Sequence, residues 1–384
     1  MKELIILGAS GSIGGQTLDI VSEFDDKFKV VGLSVGSDLE KAKKIIEEYK
    51  PKIVVTKTKE DLEYLSNYFN GVIFDYGDNG LVKLATFEKE NHNITLVVAV
   101  VGSVGLLPTV EAIKIKRNIA LANKETLVIA GEIVMRLAKE NNVTIFPIDS
   151  EHSAIYQALV GENKNDIKRL IITASGGALR DYTREELKTV TKEKALAHPN
   201  WKMGAKITID SATMMNKGFE VIEAHQLFGV GYDMIDTIIH KESIIHSIVE
   251  FSDSQMKAQM ANSDMRMPIL YALSYPERYE YNNELNLIGK NLTFEKMDFE
   301  RFPCLKMAYL AAKKGNIYPT VLNASNDIAV KLFLEDKISF LMIEEIIKEA
   351  LEETTSVDEL TLEVILETEQ NVREKILNTY GRGI

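Results

Sequence analysis

A short apolar strand followed directly by a glycine-rich turn limits the folds open to this chain. Residues 3–7 predict a buried strand, and the sequence GASGSIG from Gly8 to Gly14 follows it. An amphipathic helix is predicted next, with apolar residues recurring from Leu18 to Phe24. Glycines in this setting let the backbone approach a pyrophosphate, and the helix N-terminus supplies N–H groups and positive potential. We therefore predict nucleotide binding; the alternative is a tight strand–helix turn without a ligand.

Strand and helix signals alternate through the first 150 residues. Further strands are predicted at residues 29–33, 53–55, 95–100, 119–122 and 143–148. The continuous apolar run at 95–100 is typical of a central strand in a parallel sheet. The fold class predicted here is α/β, with an N-terminal Rossmann-like, doubly wound parallel sheet over residues 1–148.

The end of the second strand bears on the choice of nucleotide. Leu33 and Ser34 stand where an NAD site would have a carboxylate for the ribose hydroxyls. Small residues leave room for a 2′-phosphate, which favours NADP, whereas the carboxylate of Asp38 would repel that phosphate. The ammonium groups of Lys41, Lys43 and Lys44 could compensate for this repulsion. The alternative is that these lysines form a solvated helix face.

Polar residues follow the predicted strand at 119–122. The carboxyl ends of parallel strands are where such sheets bind ligands. Asn123 and Glu125 are therefore candidates to face the cofactor, and Lys124 to face a substrate. The alternative is that Asn123 caps a helix whose charged residues are exposed.

Two carboxylates lie two residues apart after the strand at 143–148. In extended chain, Asp149 and Glu151 would point to the same side. Hard carboxylate oxygens suit Mg²⁺ or Mn²⁺, with Co²⁺ as a further candidate, and Glu220 is the predicted third ligand. The alternative is an N-terminal box that opens a helix at 153–159. His152 is interpreted as a capping or supporting residue.

A glycine turn and a polar helix face together predict a phosphate site. Ser175-Gly176-Gly177 follows a strand at 171–173, and such a turn forms an anion-binding nest. Residues 206–209 alternate like a short strand, after which Asp210 or Ser211 would cap a helix. The phosphate ligands predicted with Ser175 are Ser211, Asn216 and Lys217. The alternative is an amphipathic helix whose polar face meets water.

The intervening segment, residues 178–205, is polar, carries charges of both signs and contains the one tryptophan, Trp201. It predicts a flexible lid that excludes water from the reaction; the alternative is a surface helix at 184–187 with a hydrophobic anchor. Residues 235–239 and 244–251 predict strands of a mixed sheet in a central α+β domain. From residue 302 onward helical spacing predicts a small bundle, with Asn371 as the cap of its last helix.

Charge and cysteine usage restrict the function classes. The net charge of −12 argues against nucleic-acid and membrane-surface binding. The single cysteine, Cys304, excludes an internal disulfide framework and is interpreted as a buried structural thiol. With no basic n-region or apolar spanning run, these features indicate a cytoplasmic protein.

The motifs taken together are similar to those of one family. In order they are GASGSIG, ANKE, PIDSEH, ASGG, HPNWKMG, DSATMMNKGFEVIEA and IIHS. Their order and spacing resemble the 1-deoxy-D-xylulose 5-phosphate reductoisomerases, and the resemblance covers essentially the whole chain. It implies a homodimer that uses NADPH and a divalent cation on a small sugar phosphate. It also implies an NADPH domain (1–148), a catalytic domain (149–275) with a lid at about 178–205, a linker (276–301) and a helical domain (302–384).

The resemblance also implies roles for individual residues. Asp149, Glu151 and Glu220 match the metal ligands, and Lys124, Glu151, His198 and His246 match catalytic positions. The substrate positions matched are Ser150, Ser175, His198, Trp201, Ser211, Asn216 and Lys217. The cofactor positions matched are Ser10, Gly11, Ser12, Ile13, Gly36, Ser37, Asp38, Asn123, Glu125, Met203 and Gly204.

Ser37 and Asp38 depart from the family, many members of which have a basic and a neutral residue at these positions.

Two other functions are compatible with a Rossmann-like nucleotide-binding domain. A metal-independent sugar-phosphate or hydroxy-acid dehydrogenase would not need the three carboxylates. A non-catalytic NADP-sensing protein would have no use for a phosphate clamp and a lid.

Overall fold

The computed structural model describes residues 1–381; the last three residues of the predicted 302–384 domain lie outside this range. The strands are β1 (Lys2–Leu7), β2 (Phe28–Ser34), β3 (Ile53–Thr56), β4 (Ile73–Tyr76), β5 (Ile94–Val98), β6 (Asn118–Leu121), β7 (Ile145–Pro147), β8 (Ile167–Ala174), β9 (Ile235–Ile239), β10 (Ile245–Phe251), β11 (Met256–Met260) and β12 (Glu295–Lys296). The helices are α1 (Ser12–Glu23), α2 (Leu39–Tyr49), α3 (Lys59–Ser66), α4 (Gly77–Ala85), α5 (Leu106–Lys114), α6 (Lys124–Glu140), α7 (Ser150–Ala158), α8 (Lys192–Leu196), α9 (Ala205–Ala212), α10 (Met215–Phe228), α11 (Arg266–Ser274), α12 (Pro303–Lys314), α13 (Tyr318–Leu334), α14 (Met342–Glu352) and α15 (Leu362–Tyr380).

The chain divides into two compact units, and the first holds the parallel sheet. This unit comprises Met1–Thr126, Val134–Ser153 and Asp264–Asn282. Its strand order is β4-β3-β2-β1-β5-β6-β7, and each neighbouring pair is parallel. The order reverses between β1 and β5, and sheets of this kind bind ligands beyond the carboxyl ends of the strands at such a point. The predicted Rossmann-like sheet is confirmed.

The core of the first unit explains why a distant segment joins it. All five residues of β5 are buried, as the continuous apolar run predicts. Ile269 and Leu273 of α11 are fully buried in the same apolar core as Leu4 and Val30. The segment 264–282 therefore belongs to the first unit, whereas the sequence-based boundary at residues 275 and 276 falls inside it.

The second unit contains Leu127–Ile133, Ala154–Ser263 and the chain from Asn283 onward. Its sheet has the order β11-β10-β8-β9-β12. Strands β8 and β9 are parallel and the other neighbours are antiparallel, so the predicted mixed sheet is confirmed. Leu170 and Val249 from the sheet pack with Val221 and Phe228 of α10 in a buried core.

The C-terminal part of the second unit is helical, as predicted. The prediction that Asn371 caps the last helix is wrong, because Asn371 lies within α15 and the Thr361 side chain accepts the N–H of Val364 at its start. Cys304 on α12 is 1% exposed, and burial raises the pKa of its thiol. Within residues 1–381, no helix combines the length and the apolar character that a bilayer span requires.

Candidate active site

In the glycine turn after β1, two of the glycines stand where no side chain would fit. Gly8 has φ +89°, and a Cβ atom there would stand 2.7 Å from the carbonyl oxygen of Ala99. A Cβ on Gly14 would stand 2.1 Å from the carbonyl oxygen of Gly8. Side chains are therefore excluded at Gly8 and Gly14, and the backbone between them enters the N-terminus of α1, which begins at Ser12. This is a fit for a dinucleotide pyrophosphate.

The predicted cofactor residues at the ends of β1 and β2 are joined by hydrogen bonds. The Ser34 hydroxyl accepts the N–H of Gly8 at 2.8 Å, and the Ser10 hydroxyl accepts the N–H of Gly36 at 2.7 Å. Asp38 is the N-cap of α2 and accepts the N–H of Lys41 at 3.0 Å. The structure thus joins Ser10 to Gly36. Gly11, Ser12 and Ile13 continue from Ser10 into α1, and Ser37 and Asp38 continue from Gly36 to the start of α2.

Asn123 and Glu125 form a buried polar network at the carboxyl end of β6. The Asn123 amide donates to the carbonyl oxygens of Val100 and Gly102 at 3.0 and 2.9 Å, and to Glu125 Oε2 at 2.7 Å. Its Oδ1 accepts the N–H of Thr126, so Asn123 also caps α6. Asn123 therefore caps the helix, but the exposed charges that this alternative required are absent at Glu125, which is buried. The same amide holds the loop after β5 in place.

Lys124 and Asp149 form an ion pair that is largely shielded from solvent. The Lys124 ammonium contacts Asp149 Oδ2, and Asp149 Oδ1 accepts the N–H of Glu151 at 3.2 Å. The Ser150 hydroxyl donates to Glu151 Oε2 at 2.5 Å. The expectation of extended chain here is wrong, because α7 begins at Ser150 and Asp149 caps its first turn. His152 is fully buried with Nδ1 3.5 Å from Asp149 Oδ1, consistent with a supporting role.

The segment 206–209 is helical, so the predicted strand is wrong. Lys206 and Asp210 are four residues apart and form an ion pair at 2.7 Å across one turn of α9. Met214 then adopts a left-handed conformation with φ +62°, which ends α9 and starts α10 in a new direction.

The predicted polar face of α10 is present and mostly buried. The Asn216 amide donates to Glu220 Oε1 at 2.6 Å, and the Lys217 ammonium forms an ion pair with Glu220 Oε2. Lys217 is 4% exposed and Glu220 is 1% exposed. The alternative of a solvated helix face is therefore excluded.

The Ser175 turn lies against the end of α9. Gly176 and Gly177 have φ +85° and +73°, and a Cβ on Gly177 would stand 2.5 Å from the carbonyl oxygen of Ser211. The Gly177 N–H donates to the Ser175 hydroxyl at 3.2 Å. Two glycines in left-handed backbone thus place Ser175 and Ser211 on adjoining segments, as a two-serine phosphate site requires.

His198 is held as a neutral imidazole against this turn. Its Nδ1 accepts the N–H groups of Asn200 and Trp201 at 3.2 and 3.0 Å, and therefore carries no proton. Its Nε2 lies 3.0 Å from the Ser175 hydroxyl and donates to it. Burial, with a smaller contribution from the charge of Arg180, lowers the pKa of His198 to about 4.

The remaining predicted lid and histidine positions lie in the same unit. The Trp201 ring is half-buried, with its centroid 6.1 Å from that of the buried His246. Met203 is half-buried, and Gly204 is the N-cap of α9. The alternative of a surface helix at 184–187 is realised only in part, as a 3₁₀ turn at Glu186–Thr189; the short α8 follows it.

Arg180 was missed by the sequence reasoning. Its Nη1 donates to the carbonyl oxygens of Ser175 and Lys241 at 3.0 and 3.3 Å, which ties the serine turn to the loop before β10. The only signal in the sequence was an arginine three residues after a glycine pair.

A doubly wound parallel sheet that opens on a glycine turn places the first unit among dinucleotide-binding oxidoreductases. Comparison with known proteins identifies the family. A model of 1-deoxy-D-xylulose 5-phosphate reductoisomerase matches residues 4–131, and C-terminal-domain models of that family match residues 145–228 and 260–375. The chain belongs to the 1-deoxy-D-xylulose 5-phosphate reductoisomerase family, as the motifs predicted.

Individual relatives match along the full length. The 1-deoxy-D-xylulose 5-phosphate reductoisomerase 2 of Bacillus thuringiensis subsp. konkukian is 51% identical over 381 residues, covering 98% of this chain and 99% of its own. The Halalkalibacterium halodurans reductoisomerase is 53% identical over 378 residues, covering 97% and 98%. A crystal structure of DOX-P reductoisomerase in complex with NADPH, fosmidomycin and magnesium has a TM-score of 0.93 and 38% identity, covering 98% of this chain and 99% of that one.

Proposed function

We propose that the protein converts 1-deoxy-D-xylulose 5-phosphate to 2-C-methyl-D-erythritol 4-phosphate in the non-mevalonate isoprenoid pathway. The reaction is an intramolecular retro-aldol and aldol rearrangement followed by reduction with NADPH. The observation that carries this proposal is 51% identity over 98% of the chain with a reductoisomerase. A structural relative solved with NADPH, fosmidomycin and magnesium supports the cofactor and the cation.

NADPH is assigned to the glycine turn and to the ends of β1 and β2. The backbone of Gly8 and Gly14, where a Cβ would collide, is suited to the pyrophosphate. The remaining proposed cofactor contacts are Ser10, Gly11, Ser12, Ile13, Gly36, Ser37, Asp38, Asn123, Glu125, Met203 and Gly204.

The divalent cation, Mg²⁺, Mn²⁺ or Co²⁺, is assigned to the carboxylates of Asp149, Glu151 and Glu220. These are the candidate ligands among residues 1–381, and hard oxygen donors suit these ions. Asp149 and Glu220 each already hold an ammonium, so both sites stabilise positive charge. When bound, the cation polarises the substrate carbonyl, and NADPH supplies the hydride.

The protein's own residues bind the substrate and move its protons. Ser175, Ser211, Asn216 and Lys217 bind the phosphate, which positions the reacting end. Neutral His198 donates from Nε2, and Ser150 binds a substrate hydroxyl. Lys124 and Glu151 transfer protons, and His246 supports the lid residue Trp201, which excludes water.

NADPH absorbance followed with 1-deoxy-D-xylulose 5-phosphate tests the proposal, with Mg²⁺ or Mn²⁺, with chelator, and with NADH in parallel. Oxidation that depends on metal is expected. Activity that survives chelator would favour a metal-independent dehydrogenase, and binding without turnover would favour an NADP sensor. Glu220→Gln is expected to weaken metal binding while NADPH binding survives; an unchanged metal titration would remove Glu220 from the site.

A homodimer in the cytoplasm completes the proposal. Strand β11 is an edge of the second sheet with Met256 and Met260 exposed, and such edges pair with other strands unless covered. A single buried cysteine suits a reducing compartment. Light scattering is expected to give twice the 43.1 kDa chain mass. A Met256→Lys variant that stays dimeric would exclude this edge as the interface.

A further inference from the structure

The cofactor site proposed above needs a cation that the usual sequence positions do not supply. Ser37 and Asp38 follow the end of β2, and neither is basic. A 2′-phosphate requires a positive partner, while a carboxylate in this region favours the unphosphorylated ribose. A preference for NADPH must therefore come from another residue of this region.

Lys41 brings an ammonium to the place where the glycine turn meets the end of β2. Its Nζ donates to the carbonyl oxygen of Ser10 at 2.7 Å. The hydroxyl of the same Ser10 accepts the N–H of Gly36 at 2.7 Å. Ser10 of the glycine turn therefore contacts both Lys41 and the residues that follow β2. In doubly wound sheets the adenosine ribose binds at this edge, beside the first glycine turn.

The other two lysines of α2 differ in what they contact. The Lys43 ammonium is held by Glu40 at 3.0 Å and the Tyr64 hydroxyl at 2.6 Å. It also lies 4.5 and 3.8 Å from the ring centroids of Tyr64 and Tyr68. The Lys43 ammonium is thus already bound to Glu40 and to the tyrosines in and next to α3. Lys44 is exposed and provides a control of equal charge on the same helix.

The carboxylate of Asp38 is engaged locally. It accepts the N–H of Lys41 at 3.0 Å as the cap of α2. This hydrogen bond partly neutralises the charge that would repel a phosphate, and the positive end of the helix lies beside it.

Resting on the proposed function, we propose that Lys41 is the residue that determines the specificity for NADPH over NADH. Its ammonium exchanges the Ser10 carbonyl for the 2′-phosphate when the cofactor binds. The recognised group is a phosphate monoester on the adenosine ribose, and an exposed lysine can make this exchange without moving the backbone.

Binding of the nucleotide fragments 2′,5′-ADP and 5′-AMP, measured by calorimetry, tests this without turnover. Lys41→Met is expected to weaken the binding of 2′,5′-ADP by about 10- to 100-fold, because one charged hydrogen bond is lost. The same variant should weaken the binding of 5′-AMP by less than about twofold. Lys44→Met is expected to change neither by more than about threefold. Lys41→Arg should restore most of the affinity, and Asp38→Asn, which keeps the cap, should strengthen 2′,5′-ADP.

Equal losses for both fragments in Lys41→Met would overturn the proposal, because they would indicate a disturbed fold. An unchanged affinity for 2′,5′-ADP, or the same loss in Lys44→Met, would also overturn it. Absence of NADPH oxidation by the wild-type protein would contradict the proposed function separately, since binding of the fragments requires neither substrate nor metal.

Discussion

Gly177 packs directly on Ser211: a Cβ atom on Gly177 would stand 2.5 Å from the Ser211 carbonyl oxygen and 2.9 Å from the Cα of Ala212. The contact is between two backbones, so no side-chain rotation can relieve it. The spacing between the two predicted phosphate serines therefore depends on the absence of one methyl group.

Gly177→Ala is expected to lower the free energy of unfolding by about 3 kcal/mol and to raise the KM for the sugar phosphate. Gly161→Ala is the matched control, because Gly161 has a similar φ of +79° but open space around it among the described residues. Gly161→Ala should lower the free energy of unfolding by about 1 kcal/mol and leave the KM unchanged. Urea unfolding and initial rates provide both quantities. Equal costs in the two variants would mean that the Ser211 contact is unimportant.

His198 is expected to make the protein less stable as the pH falls. Its pKa is lowered from 6.5 to about 4, so the unfolded chain binds the proton first. Its contribution to stability therefore decreases from about pH 6.5 to about pH 4. The unfolding free energy of His198→Asn should fall less over this range. An NMR titration of the His198 ring should be flat between pH 8 and pH 5.5; a midpoint near 6.5 would contradict the neutral imidazole.

Trp201 is the only tryptophan, so tryptophan fluorescence reports on the predicted lid alone. The emission is expected to change when a phosphonate substrate analogue binds together with NADPH, because the half-buried ring becomes more enclosed. Excitation at the red edge of tryptophan absorption limits the tyrosine signal. An unchanged spectrum at saturating ligand would count against closure.

The ion pair between the partly exposed Lys206 and the buried Asp210 of α9 is expected to matter for stability. Lys206 contacts Asp210 at 2.7 Å and Asp327 at 3.0 Å, and Asp210 also accepts the Asn326 amide at 2.8 Å. Lys206→Met should lower the free energy of unfolding by about 3 kcal/mol near pH 8, since it leaves the buried carboxylate of Asp210 without its ammonium partner. Lys202→Met, at an exposed lysine, should change stability by less than about 0.5 kcal/mol.

The decrease in the free energy of unfolding caused by Lys206→Met should be smaller at lower pH. Burial raises the pKa of Asp210, so the folded state takes up a proton before the unfolded chain does. Denaturant unfolding at pH 8 and pH 5 measures this difference. A loss that is the same at both values would show that Asp210 stays charged without the lysine.

Local signals were sufficient where neighbouring residues determine the conformation. Strand β1, the glycine turn and α1 were predicted because apolar spacing and glycine positions specify them within about 20 residues. The Asn216–Glu220 contact followed from helical spacing alone.

Predictions failed where contacts with residues far away in the sequence determine the conformation. Alternating residues at 206–209 suggested a strand, but the bond from Asn326 to Asp210 and the ion pair within α9 favour a helix. A distant contact also places the segment 264–282 in the first unit, because Ile269 and Leu273 are buried in its core about 260 residues along the chain from β1. Arg180 was missed because its partner, the carbonyl oxygen of Lys241, lies 61 residues away.

The burial of Cys304 makes the chain convenient for site-specific labelling. Because its thiol is inaccessible and its pKa is raised, it will not react with maleimide reagents in the native state. A Lys202→Cys substitution would therefore provide the one reactive thiol, on the segment next to Trp201. A spin label or fluorophore at that position could follow this segment in the otherwise unaltered protein.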